Sequence, residues 1–467
     1  MYKILRVLFF LLISISAAAQ NTFEKVIDTL GSSGANCIQQ TFDGGYVLCG
    51  QSYFGGNDAL ITKLDSLGNI EWLKIYSGPG AENAMFIEQT PDSGYLLNAL
   101  YDGGLYSKNW ILRLDVNGDT LWTNTLSIGV GATNAVYGNS MASINNIRYG
   151  VTGYYKPFPL TNLSAYFIGF NSNGVQLANK IYNTSNFGTD SRCIATTKDS
   201  GYIMAGVIGT SNSSSDVYLI RTNINGDTLW TRAINHSQTE AAQAIQQTSD
   251  SGFIVAGYSV NNSTFQTNTF LIKTNLNGDT LWTKLYGGSL SSVAYSVQET
   301  MDSGFIICGV IAAGIYLLKT DMNGDSLWSR IFSVSVSCSG YFVRQTKDNG
   351  FIISGVSQFP PAGTYIIKTD SLGRILTGTG IVEINNLFEF NIYPNPSSGF
   401  LTIQVKNIPE INSEIEILNM NNKCIYSCRI SNNSNEIIDL GHIPNGVYIV
   451  LLRSGQKIFT KKILIQK

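Results

Sequence analysis

The sequence predicts an all-β chain, a seven-bladed β-propeller followed by a small Ig-like β-sandwich. Three observations predict it. A hairpin-turn glycine recurs at Gly68, Gly118, Gly174, Gly226, Gly278, Gly324 and Gly373, at intervals of 46 to 56 residues. A second turn, Asp-x-Gly followed by Tyr or Phe, begins at Asp43, Asp92, Asp199, Asp250, Asp302 and Asp348, with a degraded copy near Asn145–Arg148. Between the turns lie short β-branched and aromatic runs, four per repeat, as in a propeller blade.

Each element follows from local chemistry. Asn-Gly and Asp-Gly turns between apolar runs signal hairpins, because those turn positions need positive φ. In the first copy the four strands read IQQT, YVLCG, LITKL and IEWLKIY within residues 38–76. Five copies carry a tryptophan four residues after the turn glycine, at Trp72, Trp122, Trp230, Trp282 and Trp328. The third copy has Ala178 there, has Gly169 in place of the usual Lys or Arg, and lacks the Asp-x-Gly turn. The seventh copy runs out at Thr377, whereas FEKVIDTL near the N-terminus reads like an outer strand. Phe23–Thr29 is therefore expected to complete the seventh blade and close the ring.

Residues 1–19 read as a signal peptide. Lys3 and Arg6 precede an apolar stretch too short to span a bilayer, and small residues at 17–19 lead to Gln20. The propeller is expected over 20–378, a linker over 379–388 and the second domain over 389–467. Without Lys3 and Arg6 the chain has 28 basic and 32 acidic residues, a net charge of about −4. No basic patch with interleaved aromatics appears, so nucleic acid is not an expected partner, and no later run is long enough to span a membrane.

The chemistry-bearing residues are few. His236 and His442 are the only histidines, too few for a histidine metal site and poor material for a Ser-His-Asp triad. No catalytic residue, metal site or cofactor is predicted. The D-x-N-G-D turns at Asp115–Asp119 and Asp321–Asp325 lack the later bidentate Glu of a calcium loop and are read as hairpin turns. The Lys or Arg at 63, 113, 221, 273, 319 and 368 is expected to pair with a neighbouring blade or a turn carboxylate. Of the seven cysteines, Cys49 and Cys308 fill a slot that other copies give to Ala or Ser, a packing role. Cys37 and Cys49 flank one hairpin without an expected bridge. Cys424 and Cys428 lie roughly 13 Å apart along a strand, too far to join.

Binding is expected on the variable loops at one end of the strands. Their aromatic rings beside Asn, Asp and Ser suit a sugar ligand, and Tyr53, Phe54, Tyr106, Tyr154, Tyr155 and Phe265 are the candidate residues. The expected function is binding or adhesion by a secreted or cell-surface protein, with an extracellular glycan or surface protein as partner. The alternative is a polysaccharide hydrolase or lyase, with Asp58, Glu82, Asp102 and Glu240 as carboxylates to pair.

The Gly-to-Trp spacing resembles the tryptophan-docked blades of pyrroloquinoline-quinone-type propellers and their cofactor-free relatives, over about 23–378, but no quinone-binding residue matches. Sialidase Asp-boxes place their Trp three residues after the Gly, where this chain has four, so sialidase activity is not carried over. Near the C-terminus, Tyr393-Pro394-Asn395-Pro396, the Asn-rich turn at 419–422, Gly446-Val447-Tyr448 and Lys461-Lys462 resemble the type A sorting domain of the Bacteroidetes type IX secretion system. One departure is Asn422-Lys423, where that family usually has Gly. The resemblance implies translocation across the outer membrane by that machinery, then release or attachment at the cell surface. Asp-Thr-Leu or Asp-Ser-Leu triplets start at Asp28, Asp65, Asp119, Asp227, Asp279, Asp325 and Asp370. They resemble the O-glycosylation sequence of Bacteroidetes exported proteins and also read simply as strand-leading turns.

Overall fold

A computed structural model describes residues 20–28, 33–52, 56–78, 80–102, 107–128, 135–156, 162–182, 187–210, 214–235, 239–287, 290–312, 314–333, 337–358, 362–376, 389–406, 413–419, 423–430, 434–454 and 457–467. The expected signal peptide, the expected linker, and Tyr53, Phe54, Tyr106 and His236 lie outside them. All described elements are strands. The first, β1 (Phe23–Ile27), is followed by β2 (Ser33–Gln40), β3 (Tyr46–Ser52), β4 (Asp58–Leu64) and β5 (Ile70–Tyr76). Next come β6 (Ala81–Gln89), β7 (Tyr95–Asp102), β8 (Ser107–Leu114), β9 (Thr120–Leu126), β10 (Ala135–Ile144), β11 (Arg148–Lys156), β12 (Ser164–Asn171) and β13 (Gln176–Tyr182). They continue with β14 (Thr189–Thr196), β15 (Tyr202–Gly209), β16 (Ser215–Thr222), β17 (Thr228–Ile234), β18 (Thr239–Gln247), β19 (Phe253–Val260), β20 (Thr267–Thr274) and β21 (Thr280–Tyr286). The repeat array ends with β22 (Ser292–Glu299), β23 (Phe305–Ile311), β24 (Gly314–Thr320), β25 (Ser326–Phe332), β26 (Cys338–Gln345), β27 (Phe351–Ser357) and β28 (Gly363–Thr369).

From β2 onward, each run of four forms one antiparallel sheet in chain order. β1 joins β26–β28 as the outer strand of the last sheet, in register from Phe23 opposite Lys368 to Ile27 opposite Thr364. The N-terminal segment thus completes the final repeat, as the sequence predicts. The innermost strand of each sheet packs on the preceding sheet: β6 on β2 and β3, β14 on β10 and β11, β22 on β18 and β19. β2 packs on β26 and β27, so the series returns to its start. This is a propeller arrangement. Each sheet buries its apolar faces against its neighbours; β24 and β28 are buried at every residue, whereas outer strands such as β21 stay largely open.

The turn glycine is required twice over. Gly118, Gly278 and Gly324 each have φ near 79–80°, where a Cβ is disfavoured. A Cβ on Gly324 would also stand 2.8 Å from the Trp282 ring, and one on Gly278 would stand 2.7 Å from Trp230. Each tryptophan therefore docks on the turn of the following sheet. The third sheet, which lacks Trp, sends Phe167 of β12 against Gly226 instead, and Phe23 of β1 does the same at Gly68.

Two sets of ion pairs repeat with the sheets. Lys63, Lys273, Lys319 and Lys368 reach Asp43, Asp250, Asp302 and Asp348 at 2.8–3.0 Å, and Arg113 and Arg221 pair with Asp92 and Asp199. These are the third-strand cations, and their partners are the turn carboxylates of their own sheets. A second set crosses between sheets: Lys74 with Asp119, Lys180 with Asp227, Arg232 with Asp279 and Lys284 with Asp325.

The chain divides into two compact units, Met1–Thr377 and Gly378–Lys467. In the second, β29 (Glu389–Tyr393), β30 (Phe400–Lys406) and β33 (Ser434–Asp439) form one sheet. The other sheet contains β31 (Ser413–Asn419), β32 (Cys424–Ile430), β34 (Gly446–Ser454) and β35 (Lys457–Ile465). Alternate residues from both (Leu401, Ile403 and Val405 with Ile415, Ile417, Val450 and Leu452) meet in a single core.

Candidate binding channel

The innermost strand of every repeat sheet carries a β-bulge at the same place. The unpaired residues are Asn36, Met85, Asn139, Arg192, Gln243, Tyr295 and Tyr341. A bulge re-aims a side chain out of the ladder. All seven line one cavity of about 880 Å³, bounded by the innermost strands of all seven repeat sheets. The ring is mixed, with three amides, two tyrosines, one methionine and one arginine. Tyr295 and Tyr341 meet edge to face at 5.4 Å, and Asn36 donates to Asn83 Oδ1 at 2.7 Å and to the Ala84 carbonyl at 2.9 Å. Asn139 donates to the Ser191 carbonyl at 3.0 Å.

The two ends of the cavity differ. At one, Arg192 pairs with Asp190 at 3.2 Å and lies 3.5 Å from the Tyr258 hydroxyl, while Tyr154 stacks on Tyr137 at 4.7 Å. Burial pushes the Asp190 carboxyl above its ordinary range despite that arginine. Three residues beyond the bulge, toward the Asp-x-Gly turns, stand Gln39, Glu88, Gln246 and Arg344. Burial raises the Glu88 carboxyl, against a hydrogen bond from the Ser143 hydroxyl that favours its charged form. The Arg344 guanidinium stacks 3.9 Å above the Phe342 ring.

Of the expected loop residues, Tyr154 reaches this cavity. Tyr155 does not: it is 7% exposed, packed among Val151, Ile168 and the other core residues. Successive strand side chains point to opposite faces, so the two tyrosines cannot form one platform. Phe265 is 80% exposed at φ 56°, in the loop between β19 and β20.

The expected carboxylates are not gathered. Glu82 and Glu240 are buried at the starts of β6 and β18, on sheets separated by two others, and Glu82 Oε1 accepts the Gly80 amide at 2.9 Å. Asp58 begins β4, and the Asp102 side chain lies outside the described residues. Inside the channel, Glu88 and Asp190 sit five strand positions apart, roughly 15 Å of rise. The bulge ring itself was missed from sequence, since its residues share no type.

In the second unit the distant motif residues come together. Asn395 Nδ2 donates to the Lys462 carbonyl at 2.9 Å, and Asn395 Oδ1 accepts the Leu464 amide at 2.8 Å. Ser397 bridges Ile465 in parallel, and Lys461 Nζ lies 3.4 Å from Asn391 Oδ1. Tyr393, Pro394, Asn395, Pro396, Lys461 and Lys462 are all exposed on this seam. Gly446 opens β34 opposite Ile465, and buried Tyr448 donates to the Pro444 carbonyl at 2.8 Å.

Residues 391–466 match the secretion system C-terminal sorting domain family. The C-terminal unit is a type IX sorting domain. The sorting domain makes the chain a client of that secretion machinery and locates it outside the cell, secreted or on the outer surface. Among the described residues no helix is long and apolar enough to cross a membrane. A search of the curated proteins returns no match.

Apart from the sorting domain, the likeness to solved structures is one of fold alone. A puromycin hydrolase mutant superposes with TM-score 0.51 at 10% identity, covering 80% of this chain and 59% of that one. The puromycin hydrolase itself gives 0.49 at 10% identity, covering 80% and 58%. The Pyrococcus horikoshii acylaminoacyl peptidase gives 0.43 at 11%, covering 81% and 58%. This chain thus spans under two thirds of each of these proteins.

Proposed function

We propose that the protein is a non-enzymatic, secreted or cell-surface binding or adhesion protein, and that its ligand is a glycan held in the central channel. On this reading the seven repeat sheets are the blades of one closed seven-bladed propeller, and the sorting domain is an Ig-like sandwich. The observation that carries it is the ring of seven bulge residues around the 880 Å³ cavity. Tyrosine faces stack on sugar rings, and Asn and Gln both donate and accept toward hydroxyls. Tyr154 belongs to the mouth of the channel, and Phe265 is exposed in the loop between β19 and β20. Tyr155 supports the core behind them. A hydrolase would need two carboxylates about 5–10 Å apart, and Glu88 and Asp190 are too widely spaced to serve.

The test is a glycan array and polysaccharide pull-down with the full exported chain, with reducing-sugar release measured in the same samples. Binding without release, lost in Tyr154→Ala and Tyr295→Ala variants that melt like the parent, is the expected outcome. Sugar release would replace this reading with an enzymatic one. Failure to retain any glycan would remove it.

A further inference from the structure

We infer that the channel takes an acidic glycan, a uronate-containing oligosaccharide, and that Arg344 anchors its carboxylate. This rests on the glycan reading above and names the class of sugar. Of the other cations, the third-strand set reaches the turn aspartates, Arg192 has Asp190, and Lys198, which also lines the cavity, donates to the Ser249 carbonyl. Arg344 lines the cavity, yet no carboxylate among the described residues lies within ion-pair distance of it. Its Nη1 donates to the Val343 carbonyl at 2.7 Å and stands 3.5 Å from Ser296 Oγ. Phe342 covers one face at 3.9 Å and holds the plane of the guanidinium.

A half-buried cation without a counter-ion is costly. Burial pulls the Arg344 guanidinium down to about 10, still charged at neutral pH. Its free edge offers the fork of donors that meets a carboxylate with two parallel bonds. Glu88, the acid at the same level, is engaged by Ser143, and burial favours its neutral form, so it opposes an incoming anion less. Tyr341 and Tyr295 belong to the bulge ring three positions along the strand, roughly 10 Å away. That distance accommodates a sugar chain whose acid group lies on Arg344 while a neighbouring ring packs on the tyrosines. The rings and amides favour a sugar acid over an acidic peptide.

The full exported chain is titrated calorimetrically with oligogalacturonate, oligomannuronate and a hyaluronan fragment. Their methyl-esterified forms, neutral oligosaccharides and oligoglutamate are titrated alongside. At least one oligouronate is expected to bind tenfold or more tightly than its ester, and Arg344→Gln is expected to erase that difference. Equal affinity for acid and ester would overturn this inference and leave the glycan reading standing. Preference for oligoglutamate would overturn the sugar assignment, and no binding to any oligosaccharide would overturn both readings. Phenylglyoxal labelling of the unaltered protein avoids reliance on the folding of a variant. Arg344 should be labelled when free and shielded by the bound oligouronate, and labelling unchanged by ligand would overturn its role.

Discussion

Lys273 Nζ lies 2.8 Å from Asp250 Oδ2, joining the third strand of a sheet to the hairpin that links its first two. The lysine is nearly buried and also donates to the Thr274 carbonyl at 3.0 Å, while the aspartate accepts from Thr248 and from the Gly252 amide. The same pair recurs in six of the seven repeat sheets, and the third sheet lacks both members at once, with Gly169 on β12 and an Asn145-Asn146 turn. Loss of the aspartate alone would strand a buried cation. Asp250→Ala is therefore expected to cost about 1–3 kcal/mol. Lys273→Met/Asp250→Ala together should cost less than Asp250→Ala alone. Urea denaturation of the two variants beside the parent measures this, and a double variant as weak as Asp250→Ala would show that the pair matters only through its turn.

Acid should loosen the propeller through these same turns. Burial disfavours the charged form of Asp250, but hydrogen bonds from Lys273, Thr248 and the Gly252 amide outweigh it and hold the carboxyl at about 2. Asp43, Asp92, Asp199, Asp302 and Asp348 are held below their ordinary range in the same way. A folded pKa below the unfolded one contributes stability above the unfolded value, near 3.9, and loses it as pH falls through the folded value. Stability is thus expected to hold above about pH 5 and to fall steadily from pH 4 toward 2. A melting temperature flat across that window would contradict it.

The docking of Trp282 on Gly324 makes a sharper test of how the sheets are joined. Gly324→Ala forces a Cβ into φ 79° and against the indole, so about 2 kcal/mol or more should be lost. Trp282→Ala removes a large, partly buried ring and should cost about 2–4 kcal/mol. Because both changes break one contact, the double variant should fall well short of the sum. Additive losses in a denaturant series would mean that the two residues act separately.

How much of this was legible in the sequence depended on whether a feature demands a residue type. Positive φ demands glycine, so Gly68 through Gly373 set the repeat, and an unmatched FEKVIDTL segment pointed to β1 beside β28. Buried charge demands a partner, which made the pairing of Lys63 or Lys368 predictable. A β-bulge demands only an extra residue. Asn36, Met85, Arg192 and Tyr341 share nothing in sequence, so the ring that lines the channel looked like variation. Phe167 was hidden for a related reason: it fills the place of the missing tryptophan from a different strand.

The Asp-Thr-Leu turns have two readings that mass alone separates. Asp119, Asp227, Asp279 and Asp325 each pair with a cation of the preceding sheet, which is reason enough for the carboxylate. The pairing gives no reason for the next two residues, yet Thr120, Thr228, Thr280 and Ser326 are exposed and are followed by exposed leucines. Glycosylation of these hydroxyls would raise the intact mass of the exported chain in steps of a glycan, and Thr280→Val should remove one step. An unmodified mass would leave the turns to their structural role.

Closure by β1 bears on the whole ring. The strand supplies a full ladder along β28, from Phe23 to Ile27, and Tyr365 donates to Glu24 across it. It also brings Phe23 against the Gly68 turn of the first sheet, the contact that tryptophans make elsewhere. Removing residues 20–28 would leave β28 as an unpaired edge and expose the seam between the last and first sheets. Each sheet buries its faces against its neighbours, so the expected result is a large drop in melting temperature for the whole repeat unit, with β28 amides exchanging faster. Adding the peptide back in trans should restore part of the loss, since the missing strand contributes backbone pairing, the buried Ile27 and the Phe23 ring contact. An unchanged melting temperature after the deletion would show that the ring is held without it.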